Sequence, residues 1–345
     1  MAKYKKVQLQ DIALVTGANI STVSIVLNGH ARKRRISVQL EKKILEVAKR
    51  LNYKPNVLAR SLRSGKSYIL GLILPDMSNH IFSRLGRLIE ERATREGYRI
   101  MSCSSGEDDN DPESLISSLI DYQVDGFIIA PTTKMTPSLF RMIEDSGTPF
   151  IIIDRNLPYI KTPQVTVDNF NIAFIATEHL IQQGLKRISI FLSPPSLLNM
   201  EDRLSGYKAA MKQYKNKVIP EFIEIIPYEN TFEATCNAID RVLTIKPAVE
   251  GIIFVTNMIA LPALEYLYHT KKVSIPRDLK IVSNEAAPYF SLMRPSITAM
   301  NLNVEALAEK SIELLIKLIR SDLSIKPQVY VLPASLIIRE SSVCV

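Results

Sequence analysis

Three cysteines in 345 residues, Cys103, Cys236 and Cys344, stand far apart and odd in number. A disulfide framework or a zinc site needs thiols at closer, paired spacing, so buried inert thiols are the expectation. Histidine is nearly as scarce. His30, His80, His179 and His269 are scattered without metal-ligand spacing, and neither a metal nor another cofactor is expected. There is no G-x-S-x-G elbow and no glycine-rich dinucleotide loop, so nothing catalytic assembles and an enzyme is not expected. The stretch "SGKS", Ser64 to Ser67, ends like a phosphate-binding loop. The glycine such a loop needs would fall at Arg60, and the motif precedes an apolar strand instead of following one. No apolar run approaches the roughly 18 residues that span a bilayer. The start "MAKYKKVQLQDIALV" is basic but lacks the apolar block of a secretory signal, which points to a cytoplasmic protein without membrane contact.

Acid is what the first fifth of the chain lacks. Residues 1 to 66 hold fifteen Lys or Arg against Asp11, Glu41 and Glu46, a balance of +12. The whole chain is +8, so the remainder carries −4. A basic head on a mildly acidic body suggests a polyanion-binding module joined to something else. A hydrophobic share of 46% and a charged share of 23% are those of an ordinary globular protein.

The head reads as helical. Leu9, Ile12, Ala13 and Thr16 fall at helical spacing before Gly17 stops the run. Asn19 can cap a second helix that carries Val23, Val26 and Leu27 on one face. Ser37 can cap a third with Leu40, Ile44, Val47, Ala48 and Leu51 as its stripe. Three short helices with a glycine turn between the first two make a helix-turn-helix plan. From "YILGLIL" onward, Ile- and Val-rich runs alternate with amphipathic segments through "LKIVSN". Strands that read as continuous apolar runs belong to parallel sheets covered on both faces. Eight or more such units suit two doubly wound subdomains better than one sheet.

The stretches "DIALVTGANISTVSIVLNG", "ILEVAKRLNYKPNVLARSLRSGKS", "LGLILPDMSN", "VDGFIIAP", "ATEHLIQQGLKRISIF", "DRLSGYKAA" and "IVSNE" occur in this order. In them the chain resembles the lactose-repressor (LacI/GalR) family of transcription factors from about Val7 to Ser342. The resemblance implies an α plus α/β fold: a helix-turn-helix head at 1–54, a hinge helix at 55–66, and two periplasmic-binding-protein-like lobes. One lobe is expected at 67–160 and 300–323, the other at 161–299 and 324–345. It also implies a ligand-responsive, sequence-specific regulator, read as a repressor. Such a protein binds a palindromic double-stranded DNA operator as a homodimer, is nucleoid-associated, and holds a small-molecule effector (a sugar or related metabolite) between its lobes. A sugar-binding protein of the periplasmic type is the alternative, against which the +12 head and the absent signal both count.

At 100° per residue, Ser21 and Ile25 lie opposite the apolar face of the second helix, flanked by Ile20 and Thr22. By resemblance Ile20, Ser21 and Ile25 contact bases. Many relatives have arginine where Ile25 stands; isoleucine packs on a thymine methyl instead of reading guanine. The alternative is that Ile25 packs on a neighbouring segment. Thr22, Asn28, Arg32, Lys33, Arg34 and Arg35 are the candidate phosphate partners, which position without specifying. In the hinge, Asn56, Ala59 and Leu62 match the family's paired helix and its minor-groove wedge; the alternative is an interdomain linker with a buried leucine. In the cleft the resemblance carries over to Asp76, Asn79, Phe82, Asp154, Arg155, Asp168, Arg203, Asn257 and Glu285, with surface or structural duty as the alternative for each and a structural role at the crossover for Asp168 in particular. Arg203 is expected to bond ring or anionic oxygens, and Phe82 to stack on a sugar face. Met258 and Ala286 stand where relatives have carboxylates, which suggests fewer hydroxyl contacts or a more apolar or anionic ligand.

Overall fold

The computed structural model describes residues 7–53, 65–106, 111–194, 198–321 and 325–343. The chain divides after Ser67 into two units.

The head unit holds α1 (Leu9–Thr16), α2 (Ile20–Leu27) and α3 (Val38–Arg50). Ile12, Val23, Val26, Ile44 and Val47 converge in one core, the apolar stripes expected from helical spacing. Gly17 ends α1 at φ +72°, a left-handed turn that a side chain would oppose. Ser37 caps α3 as expected, its hydroxyl accepting from the Leu40 N–H at 3.3 Å. Asn19 occupies the cap position of α2 but its side chain makes no capping bond, so that expected interaction is corrected. The basic insert between α2 and α3 is anchored at both ends. Ala31 is buried, Ile36 packs on the core, and the Ile36 N–H donates to the Ala31 carbonyl at 3.0 Å. The closed loop leaves Arg32, Lys33, Arg34 and Arg35 exposed.

The body runs β1 (Ile69–Leu74), α4 (His80–Arg95), β2 (Arg99–Ser104), α5 (Pro112–Asp121), β3 (Gly126–Ile129), α6 (Pro137–Asp145), β4 (Phe150–Ile153) and β5 (Gln164–Val167). It continues through α7 (Asn169–Gln182), β6 (Ile188–Leu192), α8 (Leu198–Gln213), β7 (Ile223–Ile225), α9 (Thr231–Thr244), β8 (Gly251–Phe254), α10 (Asn257–Glu265), β9 (Lys280–Ser283) and β10 (Thr298–Asn301). α11 (Val304–Ile319), β11 (Val329–Leu332) and β12 (Ser335–Ile337) complete it. The first sheet has the order β2-β1-β3-β4-β5-β11 and the second β7-β6-β8-β9-β10-β12. Every pairing is parallel except β10 with β12. Each sheet is therefore doubly wound, its strand order switching direction between β1 and β3 in the first and between β6 and β8 in the second.

Strand period two sorts the core. In β1, Leu70, Leu72 and Leu74 face α4 and α11, while Ile73 faces the layer of α5 and α6. In β8, Ile252 and Phe254 face one helical layer and Ile253 the other. Each such fully buried apolar side chain contributes about 1.5–3 kcal/mol.

The expected lobe boundaries need correction. β5 pairs with β4 through Ile153↔Val165, and β11 pairs with β5 through Val331↔Thr166. Both strands thus extend the first sheet, although residues 161–299 and 324–345 were expected in the second lobe. The chain crosses between sheets after β5, after β10 and after β11. The reason is register: the Asp154 N–H donates to the Val165 carbonyl at 2.8 Å, and the Asp168 N–H to Leu332 at 3.0 Å.

Candidate functional site: an uncharged helix face and an interlobe cleft

In the head, Val23 and Val26 are buried, so the opposite side of α2 faces outward. Ile20 and Ser21 are exposed and Thr22 and Ile25 half-buried. Ile25 is not among the residues of the head core. Asn28 closes the helix, its Nδ2 donating to the Ser24 carbonyl at 2.5 Å. Arg32 lies 3.6 Å from the Glu41 carboxylate, a partly exposed pair of little energetic weight. An apolar and hydroxylic face beside four exposed cations can set neutral contacts against base edges while the cations hold phosphates. The expected hinge residues Asn56, Ala59 and Leu62 lie outside the described residues.

In the body, a cavity of about 550 Å³ opens between the carboxyl ends of the two sheets, where doubly wound folds place ligands. Six of the nine expected residues line it: Asp76, Asn79, Phe82, Asp154, Arg155 and Glu285. Asp76 turns at the end of β1, its carboxylate accepting from the N–H and hydroxyl of Ser78 at 2.8 and 2.9 Å. Asn79 caps α4 through the Ile81 N–H at 2.9 Å. Arg155 donates to the Pro131 carbonyl at 3.1 Å, approaches Asp154 at 3.6 Å and lies over the Phe82 ring at 5.9 Å. Asp154 sits at φ +66°, a strained backbone position at the edge of the site.

The other three expected residues are not among those lining the cavity. Arg203 is 1% exposed. It donates to Asn169 Oδ1 at 2.8 Å, to the Val255 carbonyl at 2.6 Å and to Glu285 Oε1 at 3.2 Å. Its charge reaches the cavity through Glu285, not by lining it. Asn257 is buried and its backbone N–H donates to Glu285 Oε2 at 3.1 Å. Asp168 caps α7 by accepting from the Asn171 N–H at 3.0 Å, the structural role at the crossover. Burial pushes the Glu285 carboxyl above its ordinary value, and Arg203 and the Asn257 N–H partly oppose that rise.

Sequence reading missed Ser104, Ser193, Asn199, Tyr228, Glu229 and Thr231, all of which line the cavity. Most of them follow strand ends, which is the one signal that could have found them. Met200, Ile226, Pro227, Met258 and Ile259 give the second lobe's wall an apolar stretch. Among the described residues no cluster of His, Cys, Asp or Glu is placed to hold a metal, and no single helix is long and apolar enough to cross a membrane.

Residues 8–56 match the family described as bacterial regulatory proteins, lacI family, and residues 177–342 match a periplasmic binding protein-like domain. The ribose operon repressor of Halalkalibacterium halodurans is 30% identical over 338 residues, 97% of this chain and 96% of that protein. Catabolite control protein A of Priestia megaterium is 28% identical over 297 residues, 85% of this chain and 87% of that protein. Among solved structures, the lac repressor dimer bound to operator and an anti-inducer superposes with a TM-score of 0.84 at 19% identity, covering 99% of this chain and 100% of that one. A transcriptional regulator CelR–cellobiose complex gives 0.72 at 21%, covering 97% and 100%. The fold, the match of the head and the full-length relative agree: this chain belongs to the lacI family of bacterial regulatory proteins.

Proposed function

We propose that the chain is a cytoplasmic, nucleoid-associated repressor that binds a palindromic operator as a homodimer and is switched by a sugar-like effector in the cleft. The observation that carries the reading is the outward face of α2, uncharged at Ile20, Ser21 and Ile25 and flanked by the exposed Arg32–Arg35 loop. Ile20, Ser21 and Ile25 meet base edges; Thr22, Asn28 and the four cations meet phosphates. The relatives named for ribose and cellobiose support a sugar effector, as do carboxylates and amides that can bond pairs of hydroxyls. Contacts from both lobes across three chain crossovers let a bound ligand favour one lobe orientation over another.

Operator binding should fall steeply with salt, by about 0.9 log units of affinity per log unit of salt for each phosphate contacted. A gel-shift or anisotropy titration of the full chain on palindromic duplexes measures it, and a salt-insensitive isotherm would end this reading. Two substitutions separate the roles. Ser21→Ala should change discrimination between operator variants by about 1 kcal/mol, within the usual range for one base pair. Lys33→Ala should weaken every duplex alike and reduce the salt slope by about 1. The reverse pattern would move base reading away from α2.

A further inference from the structure

This inference rests on the cleft being the effector site and concerns the charge of what enters it. Asp76, Asp154, Glu229 and Glu285 line the cavity, and Arg155 is its one cation among the described lining residues. That cation is already committed: it approaches Asp154 at 3.6 Å, donates to Pro131 and lies against Phe82. Arg203, the residue expected to receive anionic oxygens, instead gives its guanidinium to Asn169, Val255 and Glu285 within the protein interior. Asp76 and Glu229 come from different lobes, so both walls of the cavity are acidic.

We infer that the cleft rejects phosphorylated and carboxylated ligands, Arg155 on its wall and the buried Arg203 outside it serving as internal counter-ions to Asp154 and Glu285, and that it accepts polyols that are neutral or carry an amine. This reverses the anionic ligand suggested by Met258 and Ala286. Those substitutions remove carboxylates at two positions, but Glu229, on the loop after β7, supplies one that no motif marked. The lining therefore stays net negative, and a phosphate dianion entering it meets repulsion at short range in a partly desolvated site. An ammonium group meets attraction from both walls. The apolar stretch at Met200, Ile226 and Ile259 suits the C–H face of a sugar ring and offers nothing to an anion.

The test is a calorimetric and thermal-shift screen of the full chain against matched sets. Suitable sets are ribose with ribose 5-phosphate, fructose with fructose 1-phosphate, and glucose with glucosamine, gluconate and glucose 6-phosphate. The expected result is that any parent sugar that binds does so at least about tenfold more tightly than its phosphate or carboxylate, a difference of about 1.4 kcal/mol. The amine should bind no worse than its parent. Glu229→Gln, an exposed loop change that should leave the fold intact, should narrow the parent-to-phosphate ratio. A phosphate or carboxylate that binds as tightly as its parent, or a ratio indifferent to Glu229→Gln, overturns the charge assignment and leaves the cleft as an effector site. Failure of every compound in a broader screen of neutral, cationic and anionic metabolites refutes the effector reading itself.

Discussion

Arg203→Met is expected to lower folding stability by about 3–5 kcal/mol, the usual cost of removing one partner from a buried ion pair. Arg203 is 1% exposed and Glu285 8%, so water cannot replace the lost guanidinium. Three acceptors lose their donor at once: Asn169 Oδ1, the Val255 carbonyl and Glu285 Oε1. The methionine fills the volume, so the loss reports charge and hydrogen bonding more than a cavity. Urea unfolding of the two proteins measures it. A difference below about 1 kcal/mol would show that Glu285 is neutral or solvated in the folded protein, and the counter-ion assignment would fall with it.

The pH dependence has a definite sign. Burial raises the Glu285 carboxyl above its unfolded value, so the folded state holds this proton more readily than the unfolded one. Its contribution to stability is full below the unfolded value and is lost as pH rises through the raised folded value. Without Arg203 the carboxylate loses its main compensating charge and the rise grows. The deficit of Arg203→Met should therefore be largest at neutral pH and shrink on acidification toward the usual carboxylate range. Pairing Arg203→Met with Glu285→Gln should restore part of the loss at neutral pH, because the charge left uncompensated is removed as well.

Much of this architecture was legible in the chain because its strands are apolar runs and its helices carry stripes at 3.6-residue spacing. "YILGLIL" became β1 and "VQLEKKILEVAKR" became α3 for that reason. The two strands that moved the lobe boundary were harder to place. "QVTV" and "VYVL" are four residues each, and nothing local says which of two similar sheets a short strand extends; that is fixed by long-range register. The site divides along the same line. Asp76, Asn79 and Phe82 lie close together at one strand end, and the family resemblance, not spacing, marked them as residues of the cavity. Arg203 was identified by resemblance as a residue of the site, but only tertiary packing tells a ligand contact from a counter-ion standing behind Glu285. Glu229, on a loop without periodicity, gave no signal of its own.

Gly206→Ala should destabilise the body by about 3 kcal/mol, the upper part of the usual range for forcing atoms into a packed core. A Cβ at Gly206 would lie 2.1 Å from the Phe170 carbonyl oxygen, 3.0 Å from its carbon and 3.0 Å from the Phe174 nitrogen. All three are backbone atoms of α7, so no side chain can swing aside and the two helices must separate. Glycine inside a helix ordinarily costs about 1 kcal/mol relative to alanine, and here the close approach of α7 and α8 explains its presence. α8 carries Arg203 along with Asn199 and Met200 of the cavity wall, so effector affinity should fall together with stability. Gly86→Ala in α4 is the matched control. Its Cβ would meet Leu72 Cδ2 and Leu74 Cδ1 at 3.6 Å, ordinary contact distance, so it should gain about 0.5–1 kcal/mol from helix propensity. Urea melts of the two variants should therefore shift in opposite directions. A gain at Gly206 would show that α7 and α8 are not held at the separation that positions Arg203 against Glu285.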